Sequence, residues 1–411
     1  MTMPPKPTQE LSGRNSLIDR VRDFIRTEVL PIEQRVLKEH LPLDETLRQD
    51  LVARARAAGL LTIQAGVAWG GRGLSHSERA EVFEAAGYSY LGPTALNCAA
   101  PDEGNMHMLE LVASEAQKIR WLAPMIAGRF RSAFLMTEPG GAGADPSLLA
   151  TTARRDGEEY VISGRKWFIT GAKEAGLAII MARVEGEAGE AGGPTMFLTP
   201  MDTRGILLVR DLGTAYHDSV GGHWVVDLDQ VRVHRDAVLG TVGLALRYAQ
   251  MRLAPARLTH CMRWLGAGQR AHDIACAYAM QRSAFGKPLI EHEGIGFMLA
   301  DNEMDLFLMR TLVRNCAQLL DSGADGRDET SMVKVICSEA VYRVADRAVQ
   351  ILGGVGITDE TVVDHIHRSV RAFRIYDGPS EVHRWSIARS LARRLAKAPD
   401  NGLSFPQIWA R

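Results

Sequence analysis

The stretch Ser132-Ala133-Phe134-Leu135-Met136-Thr137-Glu138-Pro139-Gly140-Gly141-Ala142-Gly143-Ala144-Asp145 marks a change of texture in the chain. Before it, from about residue 14 to 130, apolar residues recur at helical spacing, as in Leu17, Val21, Phe24 and Ile25 and again in Leu109, Val112, Ile119 and Leu122. Gly70-Gly71-Arg72-Gly73 and Leu91-Gly92-Pro93 punctuate that pattern. From Ser132 to about residue 240 the apolar runs are short and β-prone: Ser132–Met136, Tyr160–Ile162, Trp167–Thr170, Leu177–Ala182, Thr195–Thr199, Ile206–Val209, Trp224–Val226 and Val231–Val233. They predict an antiparallel β-domain, with Ser163-Gly164 as a two-residue hairpin turn. Helical periodicity then returns, as in Val333, Ile336, Ala340, Val341, Val344, Ala348, Ile351 and Leu352, and predicts a helix bundle. The order is α, then β, then α, so the fold class is α+β rather than alternating βαβ. The expected domains are 1–130, 131–240 and 241–411. The glycines at 140, 141 and 143 do not form a strand-linked GxGxxG and no Walker A run occurs, which disfavours a Rossmann or P-loop nucleotide site.

Composition narrows the function classes. A chain of 411 residues has room for two or three packed units and a large buried ligand site. A formal net charge of −1 supplies no global field for nucleic acid, so an anionic ligand must be held locally. The five cysteines are scattered and lack CxxC pairs, which argues against a disulfide framework or a thiolate metal site and fits a reducing compartment. The first residues lack an apolar signal-like core and no run approaches about 20 apolar residues, so the expected location is the cytoplasm. Gly186–Gly193 reads as a surface loop. His365-Ile366-His367 and Glu291-His292-Glu293 lack a partner cluster for a metal, and the charges of Arg389–Lys397 read as the solvated face of a terminal helix.

Four segments in fixed order carry the chemistry: Met136–Asp145, Gly164–Gly171 (Gly-Arg-Lys-Trp-Phe-Ile-Thr-Gly), Arg282–Leu289 (Arg-Ser-Ala-Phe-Gly-Lys-Pro-Leu), and Gln350-Ile351-Leu352-Gly353-Gly354-Val355-Gly356 followed by Tyr376-Asp377-Gly378-Pro379-Ser380-Glu381. Together they resemble the acyl-CoA dehydrogenase family over nearly the whole chain. Thr137-Glu138-Pro139, His260-Cys261-Met262-Arg263 and the run from Asp377 to His383 are most similar to the subgroup of family members ten and eleven. The resemblance implies a helical domain, a β-barrel domain and a helical bundle, a non-covalent FAD, and an acyl-CoA substrate. It also implies an electron-transferring flavoprotein as acceptor and a homodimer or homotetramer that shares FAD sites between subunits.

Roles carry over residue by residue from that resemblance. Phe134, Met136, Thr137, Gly143 and Ala144 are expected along the flavin and the substrate's pantetheine. Ala144 stands where relatives often have serine and lacks its hydroxyl. Phe168 and Thr170 are expected beside the isoalloxazine, with Phe168 in place of a common tryptophan and so without an indole N–H. Arg282 and Phe285, with Gln350 and Gly354, are expected to reach the FAD of a neighbouring subunit, the arginine by forked contacts to pyrophosphate. Pro379 and Glu381 replace the usual threonine and glutamine near the flavin. Tyr376, Gly378, Arg257 and Arg389 are expected near the acyl-CoA.

Asp377 stands at the family's catalytic glutamate position and is the expected α-proton base, with its own N–H polarising the thioester carbonyl while a β-hydride passes to flavin N5. Its side chain is one methylene, about 1.5 Å, shorter than glutamate. Burial is expected to raise its pKa. Two other functions are carried beside this one: a nitroalkane-oxidase-like flavoprotein oxidase, which also uses an aspartate base, and a nucleic-acid-binding flavoprotein, which the charge balance disfavours.

Overall fold

The computed structural model describes residues 10–186, 192–214 and 220–397, so most of the predicted loop at 186–193 lies outside the described residues. The first third is helical: α1 (Glu10–Phe24), α2 (Leu30–Glu39), α3 (Glu45–Ala57), α4 (His76–Gly87) and α5 (Asp102–Val112). Asp44 caps α3, and Ser75 and Glu78 form a reciprocal capping box at α4, so both starts are written locally.

Strands follow: β1 (Arg131–Leu135), β2 (Thr152–Asp156), β3 (Glu159–Thr170), β4 (Ala175–Val184), β5 (Gly193–Pro200), β6 (Ile206–Asp211) and β7 (His223–His234). They form one sheet in the order β1-β4-β2-β3-β7-β6, with β5 also on β4. The expected all-antiparallel arrangement is corrected here, since β4 runs parallel to both β1 and β2. Alternation of apolar residues fixes which face of a strand is buried, and it leaves the direction of a non-adjacent partner open.

The expected turn at Ser163-Gly164 is also absent. β3 runs straight through it, with an irregularity between Ile162 and Gly164. A Cβ on Gly164 would stand 2.9 Å from the Cα of Thr151, so this glycine serves close backbone approach. The hairpin turn is Gly157-Glu158, after Asp156 pairs with Glu159; the Asp156-Gly157 dipeptide carried that signal.

The bundle comprises α6 (Ala245–Gln281), α7 (Glu293–Asp321), α8 (Arg327–Leu352), α9 (Val363–Phe373) and α10 (Ser380–Lys397). Between α6 and α7, the short strands β8 (Ser283–Ala284) and β9 (Lys287–Pro288) are joined by Phe285-Gly286, both at positive φ, as a primed two-residue turn requires. One apolar core unites α1 to α4 with α6 to α9, a second joins α5 to the sheet, and a third lies within the sheet. The close crossing of α4 on α6 depends on two glycines. A Cβ on Gly87 would meet the carbonyl oxygen of Arg263 at 2.0 Å, and one on Gly266 that of Glu84 at 2.0 Å. That crossing sets the position of the polar face of α6.

Candidate active site

On α6, Arg252, Thr259, His260 and Arg263 project from one side at spacings of seven, eight and eleven residues, which bring side chains back to nearly the same face. All four are buried. Arg252 donates through Nε to Asn105 Oδ1 at 2.7 Å, and its guanidinium lies 4.4 Å over the ring of Phe134. Thr259 donates to the buried Glu103 carboxylate at 3.0 Å. Asp102, next to it on α5, accepts from the backbone and hydroxyl of Ser132 and from Arg131, which fastens the start of β1.

Facing that side of α6 is the turn between α9 and α10. Asp377 sits there at φ 51° and Gly378 at φ 100°. Aspartate tolerates the left-handed region better than most side chains, and a Cβ at Gly378 would strike the His383 ring at 2.7 Å. Side chains from three helices hold the turn. Arg257 Nε and His383 Nε2 both donate to the carbonyl of Asp377, at 3.3 and 3.2 Å, and Lys334 Nζ donates to that of Gly378 at 2.7 Å. Trp264 donates to the Tyr376 hydroxyl at 2.6 Å.

The carboxylate itself is 19% exposed, with Oδ2 3.1 Å from His260 Nε2. Burial pushes its pKa up, but the His260 hydrogen bond and the charges of Arg252 and Arg257 outweigh it and hold Asp377 well below the usual carboxylate range. This corrects the expectation of a raised pKa. Burial was foreseen; the His260 hydrogen bond and the Arg252 charge were not, and Arg257 was expected at the acyl-CoA rather than beside the carboxylate. Burial lowers His260, with Arg263 adding to the effect, so an ionised aspartate faces a neutral imidazole. Burial also pushes Lys334 down to about 8 and His383 down to about 4.

The second group of expected residues lies along β1 and β3. Trp167 N–H donates to Thr137 O at 3.1 Å and the Thr137 hydroxyl donates to Trp167 O, which places the loop after β1 beside β3. Beneath it, the buried Lys166 donates to Glu138 Oε1 at 2.7 Å and to the carbonyls of Met136 and Met181. Glu138 also receives the N–H groups of Ala150 and Thr151.

Phe168 departs from regular strand geometry. At φ 52° within an irregularity between Lys166 and Ile169, its ring is 51% exposed and 4.7 Å from that of Trp167. Thr170 shares a hydrogen bond with His223 at 3.1 Å, while Gly143 and Ala144 are exposed in the loop.

Of the remaining expected residues, most are exposed, and Arg282, Phe285, Gln350, Gly354 and Arg389 make no contact with the Asp377 turn among those described. Arg282 follows the end of α6 and is exposed, as are Gln350 and Gly354, and Phe285 is 96% exposed at the tip of its turn. Pro379 is half-buried, Glu381 is exposed 3.7 Å from Arg384, and Arg389 is exposed with its guanidinium 4.5 Å over the Trp385 ring. The sequence reading missed Arg252, Lys334, Trp264 and His383, and gave His260 no role. Arg252, His260 and Trp264 come from α6, Lys334 from α8 and His383 from α10, so no contiguous motif announced them together.

Comparison with known proteins agrees with this order of domains and this fold. The family model for the acyl-CoA dehydrogenase N-terminal domain matches residues 13–129, that for the middle domain 133–226 and that for the C-terminal domain 246–392. Acyl-CoA dehydrogenase family member 11 of Rattus norvegicus is 35% identical over 392 residues, covering 91% of this chain and 49% of the relative. The chain thus spans about half the length of that relative. A Mycobacterium tuberculosis protein named as a probable acyl-CoA dehydrogenase is 38% identical over 323 residues, covering 77% of this chain and 79% of its own. Butyryl-CoA dehydrogenase of Megasphaera elsdenii superposes with a TM-score of 0.83 at 25% identity, over 95% of this chain and all of the other. With three family models matched in order along most of its length, the chain is a member of the acyl-CoA dehydrogenase family of FAD-dependent oxidoreductases.

Proposed function

We propose that this protein catalyses the FAD-dependent α,β-dehydrogenation of an acyl-CoA thioester to the trans-2-enoyl-CoA, with Asp377 as the α-proton base. The observation that carries this reading is the carboxylate of Asp377: largely buried, ionised, and fixed in a left-handed turn whose carbonyls are held from three helices. A base held in one geometry takes a proton without prior reorganisation. The N–H of Asp377 then faces the thioester carbonyl and stabilises charge developing on it.

The residues present fit a flavin. Phe168 exposes an aromatic face on a constrained backbone, Thr137 and Trp167 tie the loop after β1 to β3 beside it, and Gly354 leaves open space where a Cβ would meet nothing within 4 Å. Bound FAD supplies the acceptor for the β-hydride. Phe134, Met136, Thr137, Gly143, Ala144, Phe168, Thr170, Pro379 and Glu381 line its place in one subunit. The exposed Arg282, Phe285, Gln350 and Gly354 reach it from a neighbour, in a homodimer or homotetramer. Arg257, Tyr376, Gly378 and Arg389 serve the acyl-CoA side. An electron-transferring flavoprotein takes up the electrons. Five unpaired cysteines support a cytoplasmic location, and among the described residues no helix is long and apolar enough to cross a membrane.

Rapid mixing of the FAD-loaded protein with a panel of acyl-CoA thioesters tests the reading. Asp377→Asn keeps size and polarity but removes basicity, so acyl-CoA binds while flavin bleaching slows by ~10²–10⁴-fold. Bleaching at the unmodified rate would give the base to another residue, and turnover with dioxygen alone would favour the oxidase reading.

A further inference from the structure

The family's base position is filled here by the shorter carboxylate, and the structure shows what meets it. His260 Nε2 lies 3.1 Å from Asp377 Oδ2, and His260 Nδ1 lies 3.1 Å from Arg263 NH2. A guanidinium has donors and no acceptor, so the ring nitrogen facing it must be the unprotonated one. A neutral imidazole then carries its single proton on Nε2, aimed at the carboxylate. Arg263 is itself fixed, since it donates to the Cys98 carbonyl at 2.9 Å and the Gly87–Gly266 crossing sets its place on α6.

We propose that Arg263 and His260 form a positioning relay for Asp377, in which Arg263 locks the imidazole tautomer and His260 holds Oδ2 so that Oδ1 takes the substrate proton. The proposal rests on Asp377 being the base. In the proton-transfer step the Cα–H bond breaks, its proton forms a bond to Oδ1 and its electron pair stays on the thioester α-carbon. His260 keeps its own proton throughout. The role matters more for aspartate than for glutamate because the shorter side chain has one torsion fewer with which to find the substrate.

The charged and titratable groups that face this pair are Arg252, Arg257 and Arg263 of α6, Glu103 of α5, Lys334 of α8, His383 of α10 and Tyr376 of the turn itself. All of them remain when His260 is changed. His260→Phe keeps an aromatic ring among Phe373 and Tyr376, whose centroids lie 6.0 and 4.8 Å away, but removes the donor. His260→Gln retains an N–H near the Nε2 position.

The test is the pH profile of flavin reduction in FAD-loaded wild type, His260→Phe, His260→Gln and Asp377→Asn. With the donor gone, Asp377 binds its proton more tightly, so in His260→Phe the acid limb moves to higher pH and the plateau rate falls ~10-fold or more, while acyl-CoA binding changes little. His260→Gln recovers most of both. A second readout needs no turnover: long-range ¹⁵N spectra of labelled protein assign one imidazole, lost in His260→Gln, a protonated Nε2 and an unprotonated Nδ1 across the neutral range. A slow His260→Phe whose limb stays in place would mark a merely structural histidine and overturn the proposal, as would an Nδ1–H tautomer. If Asp377→Asn is inert while His260→Phe matches wild type, the base stands and the relay falls. If Asp377→Asn reduces its flavin at full speed, both fall together.

Discussion

Asp377→Glu is the substitution that asks whether this site is shaped for aspartate or only tolerates it. Glutamate pushes the carboxyl group about 1.5 Å further from the backbone. Oδ2 already stands 3.1 Å from His260 Nε2, so extension along the same line would drive the oxygen into the imidazole. The longer side chain must turn aside and give up that hydrogen bond, which for a charged acceptor contributes about 1.5–3 kcal/mol. At about 1.4 kcal/mol per tenfold in rate, flavin reduction should slow by ~10–100-fold. The backbone adds to the difficulty, because position 377 is at φ 51° and glutamate is less at ease there than aspartate. The turn cannot relax cheaply while Arg257, His383 and Lys334 hold its carbonyls. A loss of about 1 kcal/mol in stability should therefore accompany the kinetic defect. The assay is stopped-flow reduction with one good acyl-CoA substrate, alongside urea unfolding. If Asp377→Glu bleaches its flavin as fast as the parent with an unchanged pH profile, the geometry around His260 does not govern the base.

Two further outcomes follow from buried charges. Glu138→Gln strands the ammonium of Lys166, which is wholly buried, and should cost about 3–5 kcal/mol in urea unfolding. The double change with Lys166→Met should recover much of that loss, and a single variant as stable as its parent would show the pair to be dispensable. His383 is pushed down to about 4 by burial, with Arg257 and Lys334 adding to the effect, against 6.5 for a free imidazole. Between those values the unfolded chain binds more protons than the folded one, so stability falls as pH drops from 6.5 towards 4. The part due to His383 is on the order of 1–3 kcal/mol, and His383→Gln should flatten the slope of urea midpoint against pH. An identical slope in the variant would count against a buried neutral His383.

Much of the architecture was readable along the chain because it is local. Apolar spacing separated helical from β-prone segments, while the helix-start signals at Asp44, Ser75 and Glu78, equally local, went unread. The error at Ser163-Gly164 was one of choosing between turn signals. Both it and Asp156-Gly157 offered a glycine, and only the place where Thr151 comes to lie distinguished the glycine needed for close approach from the one needed for a turn. The parallel pairing of β4 with β1 and β2 had no local signal, since a strand's alternation is the same for either direction of neighbour.

The sequence by itself determined the order of helical and β segments, the family resemblance, and Asp377 as the carboxylate to watch, since each is written in contiguous residues whose backbone preferences act over a few positions. Only the tertiary structure decided the environment of that carboxylate. Arg257 is 120 residues from Asp377 along the chain and Lys334 is 44 from Gly378. His260 and Arg263 reach their places because two glycines let α4 and α6 cross closely. A pKa is set by every charge and dipole within a few ångströms, whatever its distance in sequence. Sequence could foresee burial, which raises Asp377, while packing supplied the donor and cations that lower it.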